Sequence, residues 1–358
     1  MKRVDDDGAT RPQPILPYVP QPRGVRFFLG TWSGRLILVN AVIFLLLSLE
    51  SGSFFMPSEA ALTKWGAKDN VLIANGEYWR FFTPVFVHIG LIHFAFNNWA
   101  LYILGYQLEF LLKPKWYIVL YVLAGIGGNI ASAVFSLGLS AGASGALFGI
   151  LGAGFYLERT VGNKLAEIGG KRPRASIYTG MVIANIALGL MIPQIDNAAH
   201  MGGLAVGVVF TYALLHMRPN RLISIDHTKG RLALGLLTCL FLLGLGLSCS
   251  SQYVRQRYET AVMEVEEPLQ VYYLTQILRL DPNDTRARLN RLKLFLMYRE
   301  FRAAESDLET LLNLGLDRQI LLDLAADLES LEKGVAGAVW LRQQVYEAEK
   351  KGYTPTVP

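Results

Sequence analysis

Charged residues and cysteines are scarce in this sequence. Of its 358 residues, 18% are charged and 52% are hydrophobic, and the mean hydropathy is positive. This composition is richer in apolar residues than that of an ordinary soluble protein. The two cysteines, Cys239 and Cys249, fall in one predicted helix. At ~1.5 Å rise per residue they are roughly 15 Å apart, which excludes a disulfide between them.

Long apolar runs recur instead, and they are long enough to cross a hydrocarbon core of ~30 Å. They predict an all-α fold, a polytopic membrane helix bundle. The seven predicted spans cover residues 36–49, 87–108, 117–137, 142–157, 177–192, 199–215 and 232–247. No Asp, Glu, Lys or Arg lies inside them. This absence argues against a transporter or channel, which would carry charged groups at depth.

Basic residues are distributed unevenly between the two sides of this predicted bundle. Of the Lys and Arg residues before position 250, only Lys64, Lys68 and Arg80 fall on the side opposite the N-terminus. The N-terminal side includes Lys171-Arg172-Pro173-Arg174 and the basic residues from Arg218 to Arg231. The positive-inside rule therefore predicts a cytoplasmic N-terminus and an outer location for the entrances of spans four and six and for the C-terminal domain.

The chain is predicted to have four parts. Residues 1–34 form a polar, Pro-rich tail that resembles a disordered segment or a short amphipathic lead-in, not a cleavable signal. Residues 35–217 hold six spans, and residues 218–252 hold a cytoplasmic loop and the seventh span. Residues 253–358 are charged and amphipathic, as in a soluble helical domain.

The sequence of this C-terminal part predicts helices at 269–280, 285–298, 301–314, 318–331 and 335–350. Short breaks join them as hairpins. The Leu280–Asp284 linker and the spacing of Phe301, Ala304, Leu308 and Leu311 resemble tetratricopeptide repeats, with a generic helical bundle as the alternative. Such an array is expected to bind a protein, a peptide or a second copy of the chain. Its acids outnumber its bases, so nucleic acid is not an expected partner.

Polar side chains lie near the start of three spans. Ser144 opens span four between Gly142 and Gly145, and His200 opens span six. His93 and Asn97 lie four residues apart, on one face of span two. Each residue alone is typical of hydrogen bonds between membrane helices. Together they form a nucleophile, a base and two oxyanion donors.

A serine hydroxyl is a weak nucleophile and needs an adjacent base, most often histidine. The backbone N–H of Ser144, with the side chains of His93 and Asn97, would stabilise the oxyanion. No carboxylate lies inside the spans, and Asp196 is in the loop before His200. The sequence therefore predicts a Ser–His dyad. Phe148, one turn after Ser144, is expected to pack on the imidazole.

Spans four and six each contain a pair of glycines at helical spacing. Gly145 and Gly149, like Gly203 and Gly207, are small residues four apart, and such pairs let membrane helices approach closely. We expect them to draw Ser144 and His200 together. The serine motif is not the nucleophile elbow Gly-x-Ser-x-Gly, because position 146 is Ala and no strand precedes it.

Taken together, these motifs resemble the rhomboid intramembrane serine proteases. The motifs are Glu77-Tyr78-Trp79-Arg80, His88-x4-His93-x3-Asn97, Gly142-Ala143-Ser144-Gly145 and Ala199-His200-x2-Gly203-x3-Gly207. The resemblance covers residues 35–217. It implies a six-helix core, Ser144 as nucleophile, His200 as base, and His93, Asn97 and the Ser144 amide around the oxyanion. Trp79 and Arg80 would support the outer loop.

The resemblance also implies a serine endopeptidase that acts in the lipid bilayer on transmembrane protein substrates. Members of the family cut near the membrane surface at small residues, with helix-breaking residues nearby. No cofactor or metal is implied. The alternative function is a catalytically silent rhomboid-like protein that binds membrane clients. Relatives of that kind lack the serine or the histidine, whereas Ser144 and His200 are both present here.

Overall fold

A computed structural model of the chain describes residues 3–4, 10–11, 28–167, 177–192, 195–217, 227–331 and 333–351. The chain divides into two compact units, Met1–Cys249 and Ser250–Pro358, and each is described by itself. Two short strands, β1 (Arg3–Val4) and β2 (Thr10–Arg11), pair antiparallel near the N-terminus. The remaining regular elements of the described residues are helical, so the expected all-α bundle is confirmed. The predicted orientation depends in part on the basic residues within 171–174 and 218–226. These two segments lie outside the described residues.

The first unit contains ten α-helices among its described residues. They are α1 (Trp32–Ser51), α2 (Glu59–Lys64), α3 (Asn70–Ala74), α4 (Leu91–Ala100), α5 (Tyr106–Leu112), α6 (Pro114–Phe135), α7 (Ser144–Glu167), α8 (Ile177–Met191), α9 (Asn197–Met217) and α10 (His227–Ser248). A π-helix, Leu101–Gly105, joins α4 to α5. Four of these helices, α1, α6, α9 and α10, have the length and apolar composition needed to cross a membrane, and α8 is a shorter apolar helix.

The second predicted span differs most from the structure. The sequence predicted a helix over 87–108, but α4 begins at Leu91 and the span ends, after its π-helical turn, at Leu112. The N–H of Leu91 donates to the carbonyl of Phe54 at 3.0 Å. A Cβ on Gly90 would lie 2.2 Å from the Phe55 carbonyl oxygen. The preceding loop therefore holds this backbone, and His88, expected inside the span, lies buried before it.

The connection predicted over residues 51–86 is also partly helical. It contains α2, α3 and two 3-10 helices, Tyr78–Phe81 and Thr83–Phe86. The other six spans lie where the sequence predicted them, although α6 and α8 end slightly before the predicted ends, and α7 begins at Ser144 and continues to Glu167. The main core of this unit is formed by apolar side chains of α1, of the second span with its π-helical turn, and of α6, α7 and α9. Examples are Leu104, Tyr117, Ile150 and Phe210.

The second unit consists, in its described residues, of α11 (Ser251–Glu264), α12 (Glu267–Leu280), α13 (Thr285–Met297), α14 (Phe301–Asn313), α15 (Arg318–Glu329) and α16 (Val335–Lys350). Successive helices pack in pairs, α11 with α12, α13 with α14, and α15 with α16. The sequence missed α11, and the predicted domain boundary at 252/253 falls inside it, whereas the compact units meet at 249/250. The tetratricopeptide-like character of this unit stays a prediction.

A buried ion cluster holds the second pair of helices. Asp307 of α14 is almost fully buried, and its carboxylate accepts hydrogen bonds from Arg288 at 2.9 Å and from Arg291 at 2.6 and 2.9 Å. Leucines of α13 to α16, including Leu308 and Leu341, form the hydrophobic core of this unit. Arg288 and Arg291 of α13 thus share the carboxylate of Asp307, which ties α13 to α14.

Candidate active site

Ser144 is the first residue of α7 and is half-buried. Two residues earlier, Gly142 has φ +132°, a conformation that favours glycine. Its N–H donates to the carbonyl of Pro84 at 2.8 Å. A Cβ at this position would lie 2.4 Å from Cε1 of His93. The glycine therefore lets the chain that leads into Ser144 pass directly over the His93 ring.

His200 lies in the first turn of α9, where its N–H donates to the Asp196 carbonyl at 3.2 Å. Its imidazole stacks on the ring of Phe148, with centroids 4.1 Å apart and planes 12° from parallel. The structure thus shows the packing expected of Phe148. Nδ1 of His200 is buried and has no hydrogen-bond partner among the described residues.

Helices α7 and α9 meet backbone against backbone, as their glycine pairs predict. A Cβ on Gly203 would lie 1.9 Å from the Gly145 carbonyl oxygen, and one on Gly207 would lie 2.1 Å from that of Gly149. A Cβ on Gly145 would lie 3.5 Å from the carbonyl oxygen of Ala199. Because Gly145 follows Ser144 and Ala199 precedes His200, these contacts set the first turns of the two helices side by side.

His93 and Asn97 lie on α4, one turn apart. The Asn97 side-chain amide donates to the His93 carbonyl at 2.9 Å, which occupies one of its two N–H groups. The His93 ring lies against Gly142 and 5.5 Å from the His88 ring, measured between centroids. The structure thus brings His93 to the loop that precedes Ser144. That His93 and Asn97 both stabilise an oxyanion stays a prediction.

The loop between α1 and α4 is held by Arg80, which is buried. Its guanidinium donates to the carbonyls of Thr63 at 2.7 Å and Ala67 at 2.8 Å, and it pairs with Glu77. Trp79 is 55% exposed, with the guanidinium of Arg80 6.0 Å from its ring centroid. Arg80 therefore organises the loop and does not contact Ser144 or His200 through these bonds.

Sequence reasoning missed a polar group beside the site, formed by the buried residues Lys68, Ser132 and Ser140 and by the partly buried Asp196. The Asp196 carboxylate accepts hydrogen bonds from the N–H of Ala199 at 3.0 Å and from the Ser132 hydroxyl. Nδ1 of the His200 imidazole takes part in none of these bonds. Within the described residues, no group of three or more His, Cys, Asp or Glu is arranged to hold a metal ion.

The fold and the site define a class: a polytopic helix-bundle membrane protein with a serine and a histidine at the adjoining ends of two closely packed helices. Residues 75–217 match the Rhomboid domain, so this part of the chain is a domain of the rhomboid type. The protein is accordingly an integral, multi-pass membrane protein.

Several curated relatives share this domain. Rhomboid protease GluP of Bacillus subtilis is 38% identical over 193 residues, which are 52% of this chain and 35% of that protein. RHOMBOID-like protein 1 of Arabidopsis thaliana is 36% identical over 167 residues, 46% of this chain and 41% of that protein. Putative rhomboid protease YdcA of Bacillus subtilis is 28% identical over 188 residues, 52% of this chain and 89% of that protein. The match thus covers less than half of the first two relatives.

Proposed function

We propose that the protein is an intramembrane serine endopeptidase that hydrolyses peptide bonds in or near transmembrane segments of other membrane proteins. The observation that carries this proposal is the backbone contact of α7 with α9 at Gly145 and Gly203, which brings together the first turns of the helices that contain Ser144 and His200. The stacking of Phe148 on the imidazole supports it, because that contact fixes the plane of the base. The relatives named as rhomboid proteases support the same reaction class.

In the proposed mechanism His200 accepts the proton of the Ser144 hydroxyl while the oxygen attacks the carbonyl carbon of the substrate. The tetrahedral intermediate collapses, and His200 gives that proton to the departing amine. Water then attacks the acyl-enzyme, with His200 again as the base, and this releases the second product and free Ser144. No carboxylate partner is required, since Asp196 is bonded to Ala199 and Ser132.

Three donors are proposed around the oxyanion. The N–H of Ser144 is unpaired within its helix because it belongs to the first turn. His93 reaches the loop before Ser144, and Asn97 keeps a second amide N–H for the substrate. Loss of one such donor typically costs ~3 kcal/mol of transition-state stabilisation. His93→Ala and Asn97→Ala should therefore lower kcat by about 100-fold and leave KM nearly unchanged.

The test of the dyad uses the full-length protein in proteoliposomes with a single-span substrate. Ser144→Ala and His200→Ala should each abolish cleavage, and the double variant should be no worse than either one, because the pair acts as a unit. Ser248→Ala is the matched control: its hydroxyl is buried in α10 and unpartnered within the described chain, so cleavage should persist. Cleavage by Ser144→Ala would overturn the proposal. A wild-type protein that binds the substrate without cutting it would indicate the catalytically silent alternative.

Orientation and partners belong to the same proposal. The distribution of basic residues supports a cytoplasmic N-terminus and a C-terminal unit outside. The three helix pairs of that unit support a role in binding a protein, a peptide or a second copy of the chain. Deletion of residues 250–358 should reduce cleavage of a large native client and spare a short model span. Equal loss for both would mean that the unit only stabilises the membrane core.

A further inference from the structure

A link of eight residues, 136–143, carries the chain from the end of α6 to the start of α7. The N–H of Lys68 donates to the Ser140 carbonyl at 2.7 Å, and the N–H of Ser140 donates to the Lys68 carbonyl at 3.1 Å. Two residues further on, the N–H of Gly142 donates to the Pro84 carbonyl at 2.8 Å. The backbone that leads into the nucleophile is therefore attached at two points to the loop between α1 and α4.

The side chain of Lys68 holds the first half of this link. It is fully buried, and Nζ donates to the Gly138 carbonyl at 2.7 Å, to the Ser136 carbonyl at 3.4 Å and to the side-chain oxygen of Asn70 at 3.0 Å. Three acceptors match the three hydrogens of a lysine ammonium. Asn70 is buried as well, and its side-chain amide donates to the same Ser136 carbonyl at 2.8 Å. These bonds of Lys68 and Asn70 form a clamp on the link, and with the bridge at Ser140 they engage every second residue from 136 to 140.

The position of this clamp explains why a lysine can be buried there. Burial of a lysine is costly unless its charge is compensated. Here the compensation includes two carbonyl groups just past the C-terminal end of α6. Unpaired carbonyls and the negative end of the helix dipole at such an end favour a cation. Lys68 is fixed in turn, because the carbonyl of its neighbour Ala67 accepts a hydrogen bond from the buried Arg80 at 2.8 Å.

We propose that Lys68 is a positioning residue, which fixes the link into Ser144 and thereby the hydroxyl and the N–H of that serine. The inference rests on the proposed function, because it assigns Lys68 a role in that reaction. Lys68 acts through the backbone of the link, which it holds up to four residues before Ser144, and needs no contact with the substrate. The glycine contacts fix α7 against α9, whereas the clamp fixes the backbone that precedes the first turn of α7.

Two substitutions remove the clamp from its two sides. Lys68→Met keeps most of the side-chain volume but removes every hydrogen bond of Nζ. Asn70→Ala removes the amide that donates to Ser136 and the oxygen that accepts from Lys68. Because the two side chains bind each other and the same carbonyl, their effects should not be additive. The double variant should therefore be slowed by less than the product of the two single factors.

The experiment measures kcat and KM per folded molecule of the full chain in proteoliposomes, together with the rate at which a fluorophosphonate probe labels Ser144. A displacement of about 1 Å between reacting groups can lower a rate by about 100-fold. We expect a smaller shift in Lys68→Met, so kcat and the labelling rate should fall at least about tenfold with KM within about twofold. Asn70→Ala should lower both rates at least about threefold, because Lys68 keeps its bonds to the link. Lys64→Met is the matched control, since this lysine of the same loop has a side chain 71% exposed, and its kinetics should equal those of the wild type.

Wild-type cleavage that is lost in Ser144→Ala is established first, so a failure of the proposed function is recognised before Lys68 is judged. A lowered Tm with wild-type kcat per folded molecule in Lys68→Met would overturn the inference, because Lys68 would then only stabilise the fold. A raised KM with wild-type kcat and labelling would also overturn it, since the link would then contact the substrate. If Lys68→Met does not fold, Asn70→Ala decides: slowed labelling with unchanged KM supports the inference, and wild-type labelling contradicts it.

Discussion

Gly203→Ala tests how closely the dyad depends on the distance between α7 and α9. The added Cβ would lie 1.9 Å from the Gly145 carbonyl oxygen, a backbone atom that no rotamer change can move. A carbon and a carbonyl oxygen approach to about 3.3 Å at best, so the helices must separate by up to about 1.4 Å at this level. Ser144 and His200 lie within one turn of this contact and would separate with it.

Two effects follow from this separation. Overpacking of a tight core typically costs about 1–3 kcal/mol of stability. A displacement of about 1 Å between reacting groups can lower the rate by about 100-fold. We therefore expect Gly203→Ala to fold with a lowered Tm, to bind substrate with nearly unchanged KM, and to lose about two orders of magnitude in kcat.

The assay is steady-state cleavage of a single-span substrate in proteoliposomes, with thermal unfolding in detergent measured in parallel. Gly246→Ala is the matched control, because a Cβ there meets nothing within 4 Å. This control should retain kcat and gain stability, since Ala is favoured over Gly in a helix. Wild-type kcat in Gly203→Ala, or an equal loss in Gly246→Ala, would refute the reasoning.

Three further predictions follow from the described contacts. Phe148→Leu keeps an apolar contact but loses ring stacking worth about 0.5–1.5 kcal/mol, so kcat should fall up to about tenfold with the Tm nearly unchanged; an unchanged kcat would contradict an orienting role. Asp307→Asn should destabilise the second unit by about 3 kcal/mol in hydrogen exchange, whereas Glu349→Gln, which breaks an exposed pair, should cost under about 1 kcal/mol. In a cysteine-free background, Lys115→Cys should label from the cytoplasm and Asp323→Cys from outside; labelling of both from one side would contradict the proposed seventh crossing.

Much of the membrane unit could be predicted because its constraints are local. A hydrocarbon core requires long apolar runs, and a close helix contact requires small residues one turn apart. Both signals are visible in the sequence, so the spans and the meeting of α7 with α9 were found. The stacking of Phe148 on His200 was also accessible, because one helical turn separates Phe148 from Ser144.

What was missed depends on contacts distant in sequence. The late start of α4 follows from the hydrogen bond between the Leu91 N–H and the Phe54 carbonyl. The residues before Leu91 are apolar, so the sequence pattern predicted that the span continues through them. The buried Lys68 has partners more than sixty residues away, so its sequence neighbourhood resembles an exposed loop. Helix α11 buries only Val254 and Tyr258 among mostly polar residues, which leaves too little apolar periodicity to predict a helix.

The π-helical turn at Leu101–Gly105 has a consequence for comparisons between chains of different length. A π-helical turn holds one residue more than an α-helical turn, so it behaves as an insertion accommodated inside a helix. If one residue were deleted there, the segment could close into regular α-helix, but everything after it would rotate by about 100° and shift by about 1.5 Å. Glu109 would then lose its bonds to the N–H groups of Trp32 and Ser33, which attach α5 to the start of α1. Homologous chains without the π turn should therefore show a one-residue gap at 101–105 together with a different residue at position 109 or 33.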